Sequence, residues 1–255
     1  MVIGWSLLPT LRRLSAGCLI SLLLGCGAYD TRTQELSPAD CNQISLSGPI
    51  AGVISIGEPR LELGVPQGQA KFLTQAHEQP LQIAYKGTDQ LQLTIVCRQL
   101  QQITLLGRAQ LELQEPHNPV GLTKLAVYGD AQFAGPALVA DGLEVRGAGQ
   151  AQIALTGIEA DELTVLLSGA ARLAVANGTV ARGDLQLTGS SQMAAEQLQH
   201  QWLQLQASGD SQAVVAASAH LGGRLRDAAR VVYVGQPDLS IEQQDQTGLE
   251  AKHES

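Results

Sequence analysis

The 255-residue chain is 44% hydrophobic but only 3% aromatic, and it contains 27 glycines. So few large rings argue against an ordinary globular core, and so much apolar content argues against a disordered chain. The 16 Lys and Arg residues and 24 Asp and Glu residues give a net charge of −8. A protein that binds nucleic acid needs a basic surface, so this charge excludes nucleic acid as an expected partner. A narrow core of small aliphatic side chains is the interpretation that remains.

Residues 1–25 have the pattern of an export signal. Arg12 and Arg13 end a short basic region, and an apolar run follows from Leu14 to Gly25. This run is shorter than the roughly 20 residues that cross a bilayer, so it indicates a secretory signal rather than a transmembrane helix. Loss of the two arginines would change the net charge from −8 to −10 in the mature chain.

The signal ends at Leu23-Leu24-Gly25-Cys26, which resembles the lipobox of bacterial lipoproteins, where the cysteine is acylated and becomes the N-terminus. The resemblance implies a lipid anchor at Cys26. It also implies the outer membrane, because Gly27 stands where retained inner-membrane lipoproteins usually carry Asp. A plain signal peptide with a chance cysteine is the alternative. Residues 26–40 are polar and lack periodicity, so the sequence predicts a flexible tether there.

Two cysteines remain for the exported domain, because Cys18 leaves with the signal and Cys26 takes the lipid. In an oxidising compartment, Cys41 and Cys97 are candidates for one disulfide. Two separate buried thiols are an equal alternative, since a bridge requires Cα atoms about 4.4 to 6.8 Å apart. Neither cysteine has a neighbouring His or Cys at metal-binding spacing, so no metal is expected here.

A repeat of about 20 residues dominates the chain from about residue 81 to 235. Each unit contains a glycine, and Gln or Arg follows three residues later. The glycine positions are Gly87, Gly107, Gly129, Gly147, Gly169, Gly189 and Gly209, with Asp227 in the eighth place. The polar positions are Gln90, Gln110, Gln132, Gln150, Arg172, Gln192, Gln212 and Arg230.

Apolar and polar residues alternate on both sides of each glycine, as at Val165 and Leu167 before Gly169 and at Leu173 and Val175 beyond it. A period of two indicates short strands, and glycine suits a corner that needs positive φ. A single unit cannot bury its own apolar face, so the units must stack. The sequence therefore predicts an all-β fold, a parallel β-solenoid of about eight coils. A helical repeat fails because the glycines would interrupt each helix.

The serial Ser/Thr-Gly corners and the closing segment resemble the GIN-domain family, described as auto-transporter adhesin heads. The matching stretches are Leu167–Ala171, Leu187–Ser191, Ala207–Ser211 and Val232–Pro237, with a similar opening segment at Leu46–Leu93. The resemblance implies a right-handed parallel β-helix, usually on a bacterial envelope lipoprotein of unassigned function. Asp227 departs from the family pattern, because it replaces the last corner glycine.

The repeat and the resemblance together predict four regions. They are a lipoprotein signal at 1–25, the tether at 26–40, a β-helical domain at 41–248 and a polar tail at 249–255.

The Gln and Arg residues that follow the glycines form a column if the units stack in register. Stacked amides hydrogen bond along such an edge, so a structural role explains them. The functional alternative is a polar strip that recognises glycan hydroxyls or a partner protein. These eight residues are therefore the candidate binding ladder.

The sequence contains no nucleotide-binding or hydrolase motif, and its five histidines fall in different units, so neither a cofactor nor a metal is expected. Enzymes built on β-helices place acidic or basic side chains on adjacent coils. Asp130 and Asp210, each one residue after a corner glycine, would lie four coils apart, or roughly 19 Å. Glycosidic pairs need about 5 to 9.5 Å, so catalysis by this pair is disfavoured.

These features predict a lipid-anchored outer-membrane protein with a non-enzymatic binding, adhesion-like or scaffold role. The expected partners are the membrane, through the anchor, and a glycan or an envelope protein. A carbohydrate-active enzyme on a β-helix is the alternative. A homo-oligomer formed through the exposed strand edges of the end coils is a third interpretation.

Overall fold

A computed structural model describes residues 29–37, 41–76, 81–114 and 121–252. Over these residues the fold is all-β, with 71% strand and no α-helix, and it forms a β-solenoid of about seven turns. The predicted fold class is confirmed, although the prediction of eight coils is slightly too high. The export signal and Cys26 lie outside the described residues. No helix in the described ranges is long and apolar enough to cross a membrane.

All strands of the described ranges belong to one sheet that winds around the core, and a short 3₁₀ turn occupies Ala70–Phe72. In chain order the strands are β1 (Tyr29–Glu35), β2 (Gln43–Ser47), β3 (Ile50–Ile56), β4 (Arg60–Pro66), β5 (Leu73–Ala76), β6 (Leu81–Tyr85), β7 (Leu91–Cys97), β8 (Gln102–Gly107), β9 (Gln110–Leu113), β10 (Lys124–Gly129), β11 (Gln132–Gly149), β12 (Gln152–Leu167), β13 (Arg172–Val175), β14 (Gly178–Leu187), β15 (Gln192–Ala207), β16 (Gln212–Leu225), β17 (Arg230–Val234), β18 (Asp238–Gln243) and β19 (Gly248–Ala251).

One turn of the solenoid has three sides, as the turn built from β12 shows. Its residues 152–155 pair in parallel with β13, residues 158–160 pair with the start of β14, and residues 162–167 pair with the rest of β14. A corner at Gly169 then leads into the next turn. Each segment thus lies against its equivalent one turn later.

The core is a column of mainly aliphatic side chains, because alternate residues of the strands in the stacked turns point inward. Burial of each such side chain contributes about 1.5 to 3 kcal/mol, so the stacked column holds the turns together mainly through aliphatic packing. Tyr85 and Phe133 are the aromatic side chains buried in the core of the described ranges. Most of the apolar residues predicted to flank the corners are at most 4% exposed, and Tyr233 is only partly buried. The buried ones include Ile103, Leu105, Leu111, Leu113, Leu125, Val127, Leu143, Val145, Ile153, Val165, Leu167, Leu173, Val175, Leu185, Leu187, Leu203 and Leu205.

The turns at the N-terminal end do not stack in chain order. Strands β2 and β3 lie between the β6–β7 turn and the β8–β9 turn, so that Ile44 pairs with Leu81 on one side and with Ile103 on the other. Gly48, at φ +107°, makes the corner of this inserted turn. The prediction that successive units are neighbours is wrong here, because an upstream segment occupies the space between two consecutive units.

Antiparallel strands close the N-terminal end of the solenoid. β5 pairs with β6, β4 pairs with β7, and β1 pairs with β4 from Tyr29↔Pro66 to Glu35↔Arg60. The predicted flexible tether is therefore wrong for residues 29–35, whose backbone groups find partners on β4.

The C-terminal end carries a last, smaller turn made by β18 and β19. β19 pairs in parallel with β17, Leu249 packs partly against the core, and Lys252 Nζ lies 2.6 Å from the Glu196 carboxylate. The predicted polar tail is therefore wrong for residues 249–252. Residues 253–255 lie outside the described part of the chain.

Candidate functional site

The corners of the solenoid form a column of residues in the left-handed backbone region. Their φ angles lie between +62° and +80° at Gly107, Gly129, Gly149, Gly169, Gly189, Gly209, Asp227 and Asp245. A Cβ on Gly169 would lie 3.0 Å from the carbonyl oxygen of Gly149. Glycine is therefore favoured at these corners both by the positive φ and by the close contact between successive corners.

Two predicted corner residues lie off this column. Gly147 is buried within β11, and Gly149 makes the corner instead. Both fit the Gly-x-x-Gln pattern, but only Gly149 gives even steps of 20 residues from Gly129 to Gly209. Gly87 is also displaced, because Gly48 of the inserted turn precedes Gly107 in the column. A Cβ on Gly87 would collide with the Tyr85 hydroxyl, which explains glycine at that position without a corner.

The structure brings most of the predicted ladder together on the outer face. Cross-strand pairing runs through Gln110, Gln132, Gln152, Arg172, Gln192, Gln212 and Arg230. Gln150 is a correction, since it lies in the corner and Gln152 takes the ladder position. Gln90 is a second correction, because Ala51 of the inserted β3 pairs with Gln110 in its place. A binding function for this ladder stays a prediction.

Cys41 and Cys97 lie together at the N-terminal end, and both are fully buried in the thiol form. The Cys41 sulfur is 3.5 Å from the carbonyl oxygen of Val96. A hydrogen bond with the Cys41 thiol, followed by burial, raises the pKa of the Cys97 thiol. The pair is thus in contact, and its oxidation to a disulfide stays a prediction.

A surface groove that the sequence analysis missed crosses five successive turns, from β11 to β16. Its two connected parts have volumes of about 730 and 300 Å³ and share Asp161, Ala181 and Gln201 in their walls. We call it the Trp202 groove and define it by its main polar and aromatic residues, Asp141, Asp161, Glu162, Arg182, Gln201 and Trp202.

The Trp202 groove has an exposed aromatic ring at one end. Trp202 is 52% exposed, and its ring centroid lies 5.2 Å from that of His220 on the next turn. His220 Nε2 in turn lies 3.0 Å from the hydroxyl of Ser240 on β18. Trp202, His220 and Ser240 thus form a short row of side chains that contact one another from turn to turn beside the groove.

Most of the charged residues in the groove walls are acidic. Glu162 and Arg182 precede Trp202 at equivalent positions on successive turns, and their charged atoms are 3.9 Å apart on highly exposed side chains. Asp141 and Asp161 lie one turn apart, because their neighbours pair as Ala140↔Ala160 and Gly142↔Glu162. Asp141 and Asp161 are thus the only two acidic residues at this position on the described turns that the groove crosses, since Ala181 and Gln201 follow them.

His200 lies between two residues of the groove wall, Gln199 and Gln201, and is fully buried. Its Nδ1 is 3.0 Å from the carbonyl oxygen of Ala216, so Nδ1 carries the proton and donates it, while Nε2 has no partner. Burial lowers the pKa of His200, so the ring is neutral. The ring fills the space that Gly183 leaves in the core, since a Cβ on Gly183 would lie 2.6 Å from the imidazole Cδ2.

The carboxylates compared in the sequence analysis are far apart. Asp130 and Asp210 follow Gly129 and Gly209, and four turns separate those two corners. Among the described residues, no group of three or more His, Cys, Asp or Glu side chains lies in a metal-binding arrangement. His77, His117 and His253 fall outside the described ranges.

Several solved structures share this fold. A "putative adhesin" from Parabacteroides distasonis is 17% identical, with a TM-score of 0.77 and coverage of 89% of this chain and 98% of the other. A "Putative lipid binding protein" from the same species is 19% identical, with a TM-score of 0.79 and the same coverage. A "putative adhesin" from Parabacteroides merdae is 14% identical, with a TM-score of 0.76 and coverage of 89% and 97%. At these identities the similarity shows the fold alone.

None of the curated proteins searched by sequence matches the chain. A family model described as "Putative auto-transporter adhesin, head GIN domain" matches residues 69–237, which is more than half of the chain. This match spans the stacked corners from Gly107 to Asp227. The chain therefore belongs to the GIN-domain family.

Proposed function

We propose that the protein is a lipid-anchored envelope protein that binds a partner without transforming it, in an adhesion-like or scaffold role. The observation that carries this proposal is the Trp202 groove, which crosses five turns and leaves Trp202 more than half exposed. A large exposed aromatic side chain costs solvation free energy unless a partner covers it, and such side chains dominate many binding surfaces. The solenoid supplies a rigid support for this surface.

The anchor in this proposal is an acylated Cys26 that holds the chain on the outer membrane. Two or three acyl chains would hold a protein on a bilayer far more firmly than one. The test is labelled palmitate in a bacterium that produces the full chain, with Cys26→Ser as the variant and Cys18→Ser as the matched control. We expect Cys26→Ser alone to lose the label and to leave the membrane fraction. Retention of both by Cys26→Ser would contradict the anchor.

The binding role is tested by adhesion of whole cells. Cells that produce the protein are compared with cells that lack it for attachment to other bacteria and to surfaces coated with envelope polysaccharides. We expect attachment only with the protein present, and no release of reducing sugar ends during contact. Equal attachment by both strains would overturn the proposed role.

A carbohydrate-active enzyme is the second candidate, and one observation now favours it. Asp141 and Asp161 lie on adjacent turns of the groove, and Glu162 follows Asp161 directly. Adjacent turns are about 4.8 Å apart, which brings carboxyl groups into the range that glycosidic chemistry uses. Release of reducing ends by the native protein, and its loss in Asp161→Asn, would establish the enzyme. The binding proposal requires that neither occurs.

A further inference from the structure

The chemistry of the Trp202 groove identifies a class of ligand, and this inference rests on the proposed binding function. We propose that the groove binds an oligosaccharide built from uncharged or amino sugars, with Trp202 stacked against one sugar ring. Pyranose rings present C–H groups on their faces, and these pack on the electron-rich face of an indole ring. The ring hydroxyls at the sugar edges would then meet the polar walls.

The polar walls suit sugar hydroxyls, which both donate and accept hydrogen bonds. Asp161 and Glu162 accept hydrogen bonds only, Arg182 donates only, and Gln201 does both. All four line the smaller part of the groove together with Trp202. An aromatic ring flanked by hydrogen-bond donors and acceptors is thus available to a single sugar ring.

Charge selects among carbohydrates. Asp141, Glu159, Asp161 and Glu162 line the groove, against Arg182 as the one basic residue of its described walls. Side chains on adjacent turns are about 4.8 Å apart, within the Debye length of about 8 Å at physiological salt, so their negative potentials add. Uronic acids, sialic acids and anionic lipid head groups would be repelled, whereas neutral sugars would bind and amino sugars would be attracted.

The length of the groove and its small exposed apolar area favour a glycan over a protein as the ligand. Five turns span roughly 19 Å at the spacing of strands, which accommodates several sugar rings in a row. Apart from Trp202, Val139 is the large hydrophobic side chain that is exposed along the groove. A protein interface needs a larger apolar centre, whereas one ring is enough for one sugar.

The test uses the protein without the predicted signal, residues 26–255, and an array of neutral, amino and acidic glycans. Calorimetric titration follows with chitin oligosaccharides, chitosan oligosaccharides and oligogalacturonate. Trp202 and Trp5 are the two tryptophans of the chain, and Trp5 lies in the predicted signal, so the fluorescence of the processed protein reports Trp202 directly. We expect binding of neutral or amino oligosaccharides, with a blue shift or quenching of that fluorescence. Anionic vesicles and oligogalacturonate should give no signal.

Three variants locate the site. Trp202→Ala should weaken binding by at least tenfold, and Glu162→Gln should weaken binding of amino sugars severalfold. Leu239→Ala is the matched control, since Leu239 is 48% exposed on β18 and does not line the groove, and its affinity should be unchanged. Thermal unfolding of each variant checks that the fold is retained.

The inference is overturned by absence of binding to every neutral and amino glycan on the array, by a preference for acidic glycans, or by affinity that Trp202→Ala leaves unchanged. A ligand that proteases destroy would assign the groove to a protein and would also overturn it. Cell attachment that persists in Trp202→Ala refutes this inference alone, whereas equal attachment with and without the protein refutes the proposed function.

Discussion

The carboxylate of Asp227 accepts a hydrogen bond of 2.9 Å from the backbone N–H of Gly209, one turn earlier in the solenoid. Asp227 occupies the corner position in place of glycine, at φ +62°. Asp245 repeats the arrangement one turn later, at φ +65° and with its carboxylate 3.4 Å from the Asp227 backbone nitrogen. Aspartate tolerates this backbone region because its short polar side chain bonds locally, so the departure from glycine strengthens the corner column at its end.

We predict that Asp227→Ala lowers the free energy of unfolding by about 2 kcal/mol, because alanine is strained at positive φ and leaves the Gly209 N–H without its acceptor. Asp227→Gly should cost about 1 kcal/mol or less, since it loses the acceptor but relieves the strain. Urea unfolding measures both. Asp210→Ala, at an exposed residue beside the corner, is the control and should change little. An Asp227→Gly variant less stable than Asp227→Ala would refute the strain argument.

The sequence predicted the features that depend on neighbouring residues, and it did not predict which strands pair. Alternation of residues such as Val165 and Leu167 specifies strands and their inner face, and spacing specifies a solenoid. The sequence could not show that β2 and β3 insert between two later turns, because every strand presents a similar apolar face and alternation does not encode the partner. Gly147 and Gly149 both have Gln three residues later, so the sequence pattern does not show which one forms the corner. The stacking of the corners in the structure identifies Gly149.

The groove was harder to predict than the fold, since a binding surface lies in the residues that vary between repeats. Glu162, Arg182 and Trp202 share one position on successive turns but have no common chemistry, so a search for repeated residue types passes over them. The ladder, in contrast, repeats Gln or Arg at the same position of each unit, so the sequence alone predicts it.

A second prediction concerns a buried hydroxyl in the inner corner. Ser191 is fully buried and its Oγ has no hydrogen-bond partner, whereas Ala131, Ala151 and Ala171 fill the equivalent place on earlier turns. Ser191→Ala should therefore raise the free energy of unfolding by about 1 kcal/mol, because it removes an unsatisfied polar group and leaves no cavity. The exposed Ser190→Ala is the control and should be neutral. Destabilisation by Ser191→Ala would mean that the hydroxyl has a partner after all.

A third prediction is that Cys41 and Cys97 form a disulfide under oxidising conditions. Oxidised glutathione accepts two electrons from the two thiols, the Cys41–Cys97 bond forms, and two molecules of reduced glutathione leave with the two protons. Closure of this loop should stabilise the fold by about 4 kcal/mol, since it restricts the unfolded chain. The bridge would also fix the inserted β2–β3 turn beside β7.

Intact mass under non-reducing conditions should show the loss of two hydrogens, and the melting temperature should rise on oxidation. The Cys41→Ala variant should lack both responses, while Cys18→Ala should keep them. If both thiols of protein isolated from the producing cells react with an alkylating reagent after denaturation without reductant, the bridge does not form in the cell.

The last prediction joins pH dependence to packing at His200. The folded pKa of His200 is lowered by burial, while the unfolded pKa is near 6.5, so the unfolded chain binds more protons as the pH falls below that value. Stability should be complete above about pH 7 and should fall at lower pH, with a slope of up to about 1.4 kcal/mol per pH unit from this group. The imidazole contacts the uncharged carbonyl oxygen of Ala216 and packs against Gly183, and neither carries a charge that would compensate one on the ring.

The packing half of this prediction uses Gly183, whose missing side chain makes room for the imidazole. Gly183→Leu alone should be strongly destabilised by collision with His200, and His200→Ala alone should leave a cavity that costs about 2 to 4 kcal/mol. The double variant restores the leucine that Leu163 and Leu203 supply on adjacent turns, so it should recover most of the loss. It should also lose the acid sensitivity of the native chain, as measured by urea unfolding between pH 5 and 8, whereas His220→Ala should keep it. If the double variant loses as much free energy of unfolding as the two single variants together, the leucine does not fill the space that the imidazole leaves.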